Sequence, residues 1–422
     1  MLISCIRRLV GLSLFFASLA FVGPVSAFEL FLPPGATLEQ VSNNTDAQAR
    51  YIGYPQISGD GRVVYYVADS SATMRSGHDL IRWERGIPPV VVMALETQQF
   101  LISVSRPSTN FDGSLLAYAS RVTPDGMNLT NPPLYLYEHG VGVRELFRTE
   151  EYPILQPMMS PDGYIYFSSE MSFGDTNPRN EMAGFRYDFA SGQVSQVIHF
   201  PAVSQGNDPN HVSFQGVGGD GRSLVITNGN FDGTNPQNDV SWRILDGSEN
   251  VEIQRLPRPF FAGFQNTNVN LTSAMSVDGR YALYIDADEE LWRYDAETGQ
   301  SVELPVNVRQ RRYVMSGNGR YLYFAHRQSP VTLDRLEIET GVTERLLTQA
   351  GEIAEWYLAT DYSGNRVAFL ASENLTGTNP NNVNQVYLLT LVPEPAGCQL
   401  LIVLVVCGVT LRCGVHFCGV HK

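Results

Sequence analysis

The chain has no cysteine between Cys5 and Cys398, and the other three, Cys407, Cys413 and Cys418, crowd its C-terminal end. That excludes a disulfide or a thiolate metal site from the long middle of the protein, and a cysteine-free core is at ease in an oxidising compartment. Positive charge is also scarce. Lys and Arg number 29 against 43 Asp and Glu, a net charge of -14. Binding to a phosphate backbone needs clustered Lys and Arg, so nucleic acid is excluded as the main partner; the acidity serves solubility. Helical periodicity is missing between the two ends. No Gly-x-Ser-x-Gly elbow, His-Glu-x-x-His pair or phosphate-cradling Gly loop occurs. His78, His139, His199, His211 and His326 are scattered without metal-ligand spacing.

What the chain does have is one short turn, repeated. Its fullest form is Ser160-Pro161-Asp162-Gly163, followed by Tyr164-Ile165-Tyr166-Phe167. The turn returns at Asp60-Gly61, Asp112-Gly113, Asp220-Gly221, Asp278-Gly279, Asn318-Gly319 and Ser363-Gly364, each followed by a run of β-branched and aromatic residues. Gly, and to a lesser degree Asn and Asp, tolerates the positive φ that tight hairpin turns require. The turn glycines recur at a period of roughly 40 to 60 residues, the length of a propeller blade. A second hairpin follows in the units, as in Leu291–Asp295, a turn at Thr298-Gly299, then Ser301–Leu304. With the strand before the Asp-Gly turn, this gives four strands per unit.

The expected fold is therefore all-β: a seven-bladed β-propeller with four-stranded antiparallel blades. The last unit ends at its third strand, Gln385 to Leu391. The segment 36–42 reads like a fourth strand, so the N-terminal strand is expected to complete blade 7, leaving no long open edge in the closing blade. Tyr65, Tyr118, Tyr166, Tyr284, Tyr323 and Phe369 recur on the second strand and are expected between blades.

Ser-Pro-Asp-Gly followed by an aromatic strand, with a later Asp-x-x-x-Gly hairpin, resembles the WD40-like repeat of TolB-type β-propellers over roughly residues 36 to 391. That resemblance implies a periplasmic complex subunit, although TolB-type proteins carry an additional N-terminal domain and only 8 residues separate Ala27 from Ala36 here.

The ends carry address signals. Arg7-Arg8, an apolar run from Leu9 to Val22 and Val25-Ser26-Ala27 form the three parts of a secretory leader. Its run of about 14 residues reaches about 21 Å as a helix, short of the roughly 30 Å of a bilayer core. Cleavage after Ala27 is expected. At the other end, Pro393-Glu394-Pro395, the apolar run Leu400–Leu411 and a weakly basic tail resemble a PEP-CTERM sorting signal, which implies an exosortase-type enzyme as a partner. The basic cluster is reduced to Arg412, His416, His421 and Lys422. The domain reading is thus 1–27 leader, 28–391 propeller and 392–422 tail, on an exported protein of the periplasm, outer envelope or extracellular space, transiently anchored by its C-terminal segment.

The variable polar material lies in the loops between second and third strands, which share a face with the blade-to-blade connections. On this face Asp125, Asn128, Asp175, Asn177, Asp232, Asn235, Asp239 and Asn379 are the candidate ligand contacts. The loops around Asp232 and Asn379 share Gly-Thr-Asn-Pro. Asn230, Asp232, Asn235 and Asp239, and Asp175, Asn177 and Glu181, are hard oxygen donors of the kind calcium takes, but neither group has the spacing of a calcium loop; side chains capping turns account for them. No cofactor and no catalytic set is expected. The reading is a monomeric, non-catalytic module that binds an envelope protein or an exopolysaccharide. The alternative is a lactonase-, phytase- or lyase-like propeller enzyme, with His211, Arg312 and Glu355 placed near the channel by position.

Overall fold

A computed structural model describes residues 32–391 except 44–51, 70–77, 96–106, 122, 125–126, 128, 150, 152, 174–181, 199–211, 229–234, 236–238, 248, 257–273, 307–312, 327–330 and 350–352. The described residues form seven antiparallel sheets in chain order. Blade 1 runs from Ile52–Ile57 outward to Ile87–Leu95, and blade 2 from Ser108–Thr109 to Gly142–Phe147. Blades 3 and 4 start at Leu155–Met159 and Val212–Val217, and blade 6 at Tyr313–Met315. First strands of neighbouring blades lie against one another, so they ring the central axis.

Blade 7 is closed as expected. Strand Thr37–Gln40 pairs antiparallel with Gln385–Thr390, in the register Thr37 with Thr390 through Gln40 with Tyr387. The pairing continues into Val41, whose N–H donates to the Val386 carbonyl at 2.8 Å. The buried Ser42 hydroxyl donates to Gln385 Oε1 at 2.6 Å and accepts from the Val386 N–H at 2.8 Å. Arg85 of blade 1 grips the same strand through Glu39 at 3.0 Å. Blade 5 departs from the pattern. Among the described residues its sheet has three strands, Tyr281–Ile285, Leu291–Asp295 and Gln300–Glu303, and on the innermost side Met275 bridges to Ala282.

The core lies between blades. One apolar cluster joins Tyr65 and Val67 to Tyr118 and Tyr135, the next joins Ala117 and Leu136 to Phe167 and Phe185, and another closes the ring from Leu370 and Leu388 to Val64 and Tyr66. All six repeated second-strand aromatics are buried. Three also reach across a joint to the turn of the next blade, and Tyr118 reaches back to Met93 Sδ of blade 1. The hydroxyl of Tyr65 donates to the Gly113 carbonyl at 2.7 Å, that of Tyr166 to Gly221 at 3.2 Å, and that of Tyr323 to Gly364. The aromatic ring fills the joint while its polar tip is satisfied by the next blade's turn.

The same turn must be glycine for two independent reasons. Gly113 has φ +70, and a Cβ there would stand 2.8 Å from the Cβ of Val63 on the preceding blade. Gly319 has φ +69, and its Cβ would sit 2.4 Å from the Tyr281 ring. At these two joints the turn is therefore both a hairpin and the flat surface on which the previous blade packs, whereas at Gly221 the nearest atom to an added Cβ is 3.9 Å away and only the positive φ applies.

Candidate functional site

A propeller offers two faces. Turns between first and second strands emerge at one end of the blades; loops between second and third strands, with the blade connections, emerge at the other.

On the turn face the repeat's polar groups serve the fold. The Ser58 hydroxyl donates to Asp60 Oδ1 at 2.6 Å, and the same oxygen accepts the Arg62 N–H at 3.0 Å. Ser276 with Asp278, and Ser316 with Asn318, repeat the arrangement at 2.5 and 2.7 Å. The arginine after the turn glycine then pairs with an acid at the end of the third strand: Arg222 with Asp246 at 2.8 Å, Arg280 with Asp295 at 2.9 Å, Arg320 with Glu337 at 2.6 Å. The hydrogen bond from Arg320, with a second from Thr340, holds the Glu337 carboxyl below the usual carboxylate range.

Backbone hydrogen bonds link these turns at six of the seven joints. Asp60 N–H donates to Phe111 O at 3.0 Å, Phe111 N–H to Pro161 O at 3.4 Å, Gly219 N–H to Val277 O at 2.6 Å and Val277 N–H to Gly317 O at 2.7 Å. Asn318 N–H donates to Tyr362 O at 2.9 Å, and Tyr362 N–H to Gly59 O at 2.8 Å. The joint between blades 3 and 4 breaks the series. The residue whose N–H would donate there is Pro161, which has none. At that joint burial pushes the Asp162 carboxyl up, and the Asp220 charge adds to the rise.

On the opposite face Asn235, Asp239 and Asn379 lie within the described residues, and two of them turn inward. Asn235 is fully buried; its Nδ2 donates to Asp239 O at 2.7 Å and its Oδ1 accepts the Asp239 N–H at 2.9 Å. Asn379 is buried too, with Nδ2 donating to Val383 O at 2.7 Å and to Ser372 O at 3.1 Å. The asparagine of each Gly-Thr-Asn-Pro loop is thus a brace that satisfies the loop's own backbone. Thr378 of the second loop donates to Gln40 Oε1 at 2.6 Å, tying that loop to the closing strand. Asp125, Asn128, Asp175, Asn177 and Asp232 lie outside the described residues, as do Asn230, Glu181, His211, Arg312, Ala27, Pro393, Glu394 and Pro395. Glu355 falls in strand Ile353–Thr360, but its side chain is not among the described ones. Among the described residues no group of three or more His, Cys, Asp or Glu could hold a metal ion.

The channel wall holds residues that no sequence motif singles out. Tyr54 in blade 1 and Gln156 in blade 3 have φ of 53° and 46°. Each lies in a bulge of its innermost strand and each precedes a proline, Pro55 or Pro157. The available signal was this shared X-Pro, at the same distance ahead of Ser58 and Ser160. The hydroxyl of Ser213, on the neighbouring innermost strand of blade 4, donates to Gln156 Oε1, and Gln215 Nε2 donates to Ser213 Oγ at 2.7 Å.

These features define a seven-bladed β-propeller whose ring is closed by an N-terminal strand. Its fold is similar to that of other propellers. An oligogalacturonate lyase solved in complex with manganese aligns at TM-score 0.51 and 11% identity, over 87% of this chain and 98% of that one. The WD40 repeats of RRP9 align at 0.50 and 11%, over 86% and 100%. TolB from Acinetobacter baumannii aligns at 0.39 and 14%, over 79% of this chain, which spans 64% of the TolB chain. At these identities the likeness is one of fold. Neither a protein-family model nor a curated protein matches the sequence.

Proposed function

We propose that this chain is an exported, non-catalytic propeller that serves as a protein- or glycan-interaction module at the bacterial cell envelope or extracellular matrix. One observation carries the reading: the repeated carboxylates, hydroxyls and arginines of the turn face are engaged with their own turns and strand ends. Variable contact chemistry is left to the loop face, where the sequence concentrates Asn, Asp, Gly and Pro. The leader-like residues 1–27 support export, and the Pro393-Glu394-Pro395 tail supports sorting by an exosortase-type enzyme. The partner is an envelope protein or an exopolysaccharide.

The test expresses the full chain in a bacterial host, sequences the N-terminus of the exported product, and uses that product in a pull-down from envelope extract beside a glycan array. The expected product starts at Phe28 and captures a partner, with capture reduced by substitutions in loops 123–131 and 374–382. Retention of the leader in the cytoplasm, or turnover of a lactone, phytate or uronate substrate, contradicts the proposal.

A further inference from the structure

The channel wall where blades 3 and 4 meet is built from uncharged polar groups in a connected line. Gln215 and Ser213 are more than nine-tenths buried, at 8% and 7% exposure, whereas Gln156 is exposed. The direction of the line is fixed by its hydrogen bonds. Gln215 Nε2 donates to Ser213 Oγ, and the Ser213 hydroxyl spends its one proton on Gln156 Oε1. A primary amide has two donors and one acceptor, so donors remain on Gln156 Nε2 and acceptor capacity on Gln215 Oε1. The relay therefore ends in an exposed N–H at Gln156 and a largely buried carbonyl oxygen at Gln215.

Gln156 does not reach this place by ordinary strand geometry. The bulge between Leu155 and Met158 takes it out of the ladder, and its φ of 46° is one that non-glycine residues seldom adopt. Such a backbone persists where the surroundings enforce it, which is common at ligand sites; bulges serve to re-aim a side chain. Its strand is innermost, so the solvent that reaches it is that of the axial channel, in the half leading away from the Ser160-Pro161-Asp162-Gly163 turn.

We propose that this stretch of wall is a binding site for a neutral, hydroxyl-rich ligand, an oligosaccharide entering the channel from the loop face. The proposal rests on the interaction-module reading and names its ligand class. Adjacent sugar hydroxyls each donate and accept, which matches a relay ending in an amide N–H and an amide oxygen. An anionic ligand has no cation to meet within the relay and approaches a chain of net charge -14. Brace and site are separable: a brace needs only the Ser213–Gln156 bond, whereas a site needs the exposed amide end as well.

The test titrates the exported protein with maltohexaose, cellohexaose and laminarihexaose, and with trigalacturonate as a charged comparator, by calorimetry and saturation-transfer NMR. Gln156→Ala and Ser213→Ala are measured alongside, each with a thermal melt. The expected result is saturable binding of at least one neutral hexaose, weakened about tenfold or more in Gln156→Ala, whose melting point stays that of the parent. Trigalacturonate is expected to bind more weakly. If no neutral hexaose saturates at millimolar concentration while an envelope protein is captured, the saccharide site is overturned and the module reading stands. If neither binds, both are overturned. Gln156→Ala with unchanged hexaose binding and a lowered melting point makes the relay a brace between blades and overturns the site.

Discussion

The Tyr65 hydroxyl of blade 1 lies 2.7 Å from the Gly113 carbonyl of blade 2, and this contact ties the repeat's aromatic strand to the next repeat's turn. Removing the hydroxyl orphans a buried carbonyl and leaves the ring in place. Tyr65→Phe is expected to cost about 1–3 kcal/mol, read as a lower midpoint in urea unfolding with an unchanged slope. A midpoint equal to the parent's removes the hydroxyl from the account of the joint.

The two requirements on the turn glycine can be separated by comparing two sites. Gly140 has φ +83 and an added Cβ there would meet nothing within 4 Å, so Gly140→Ala tests backbone strain alone. That change is expected to cost about 1–2 kcal/mol. Gly113→Ala adds overpacking against Val63, a further cost of about 1–3 kcal/mol. Equal losses in the two variants contradict the packing role.

The acids of the turn face divide by sign. Glu337 is held low by Arg320, so its contribution is present above its unfolded pKa and fades as pH falls through the lower folded value. Asp162 is pushed up by burial and by Asp220, so ionising it costs more in the folded state, and stability is lost as pH rises from the unfolded value through the folded one. Glu337→Gln is expected to destabilise at pH 7 and to matter little near pH 3. Asp162→Asn is expected to stabilise at pH 7 and to matter little near pH 3. Both groups are partly exposed, so the effects are small, and melts across that pH range at low salt resolve their signs. The same sign for both variants at pH 7 contradicts the assignment.

Arg243 is a buried cation, at 1% exposure, held by Glu252, Ser241 and Asn250. Glu252→Ala removes the carboxylate that meets that guanidinium and is expected to cost up to about 3–5 kcal/mol, less because Glu252 itself touches solvent. Arg243→Met in the same background is expected to restore part of the loss. No recovery in the double variant argues that the carboxylate acts elsewhere.

The blades were legible in the sequence because each turn needs a local chemistry that few residues supply. Asp or Asn accepts from the backbone two residues on, and glycine takes the positive φ. The closing strand was legible because Thr37–Gln40 repeats the pattern of a fourth strand and blade 7 lacked one. Blade 5 shows the limit: among the described residues the innermost side is represented by Ala274 and Met275 alone, too short a stretch to show an alternating run. The bulges at Tyr54 and Gln156 were hidden because neither residue type announces a positive φ. Asn235 and Asn379 were recognisable as loop residues, but residue type does not say whether an amide faces a ligand or its own backbone.

The most direct test of the central claim is hydrogen exchange of the exported protein with and without its captured partner or saturating hexaose. New protection is expected in the loop-face segments 123–131, 174–180, 230–239 and 374–382 or on the channel strands 155–159 and 212–217, with the turns 59–62, 161–163 and 317–320 unchanged. Protection concentrated on those turns contradicts it.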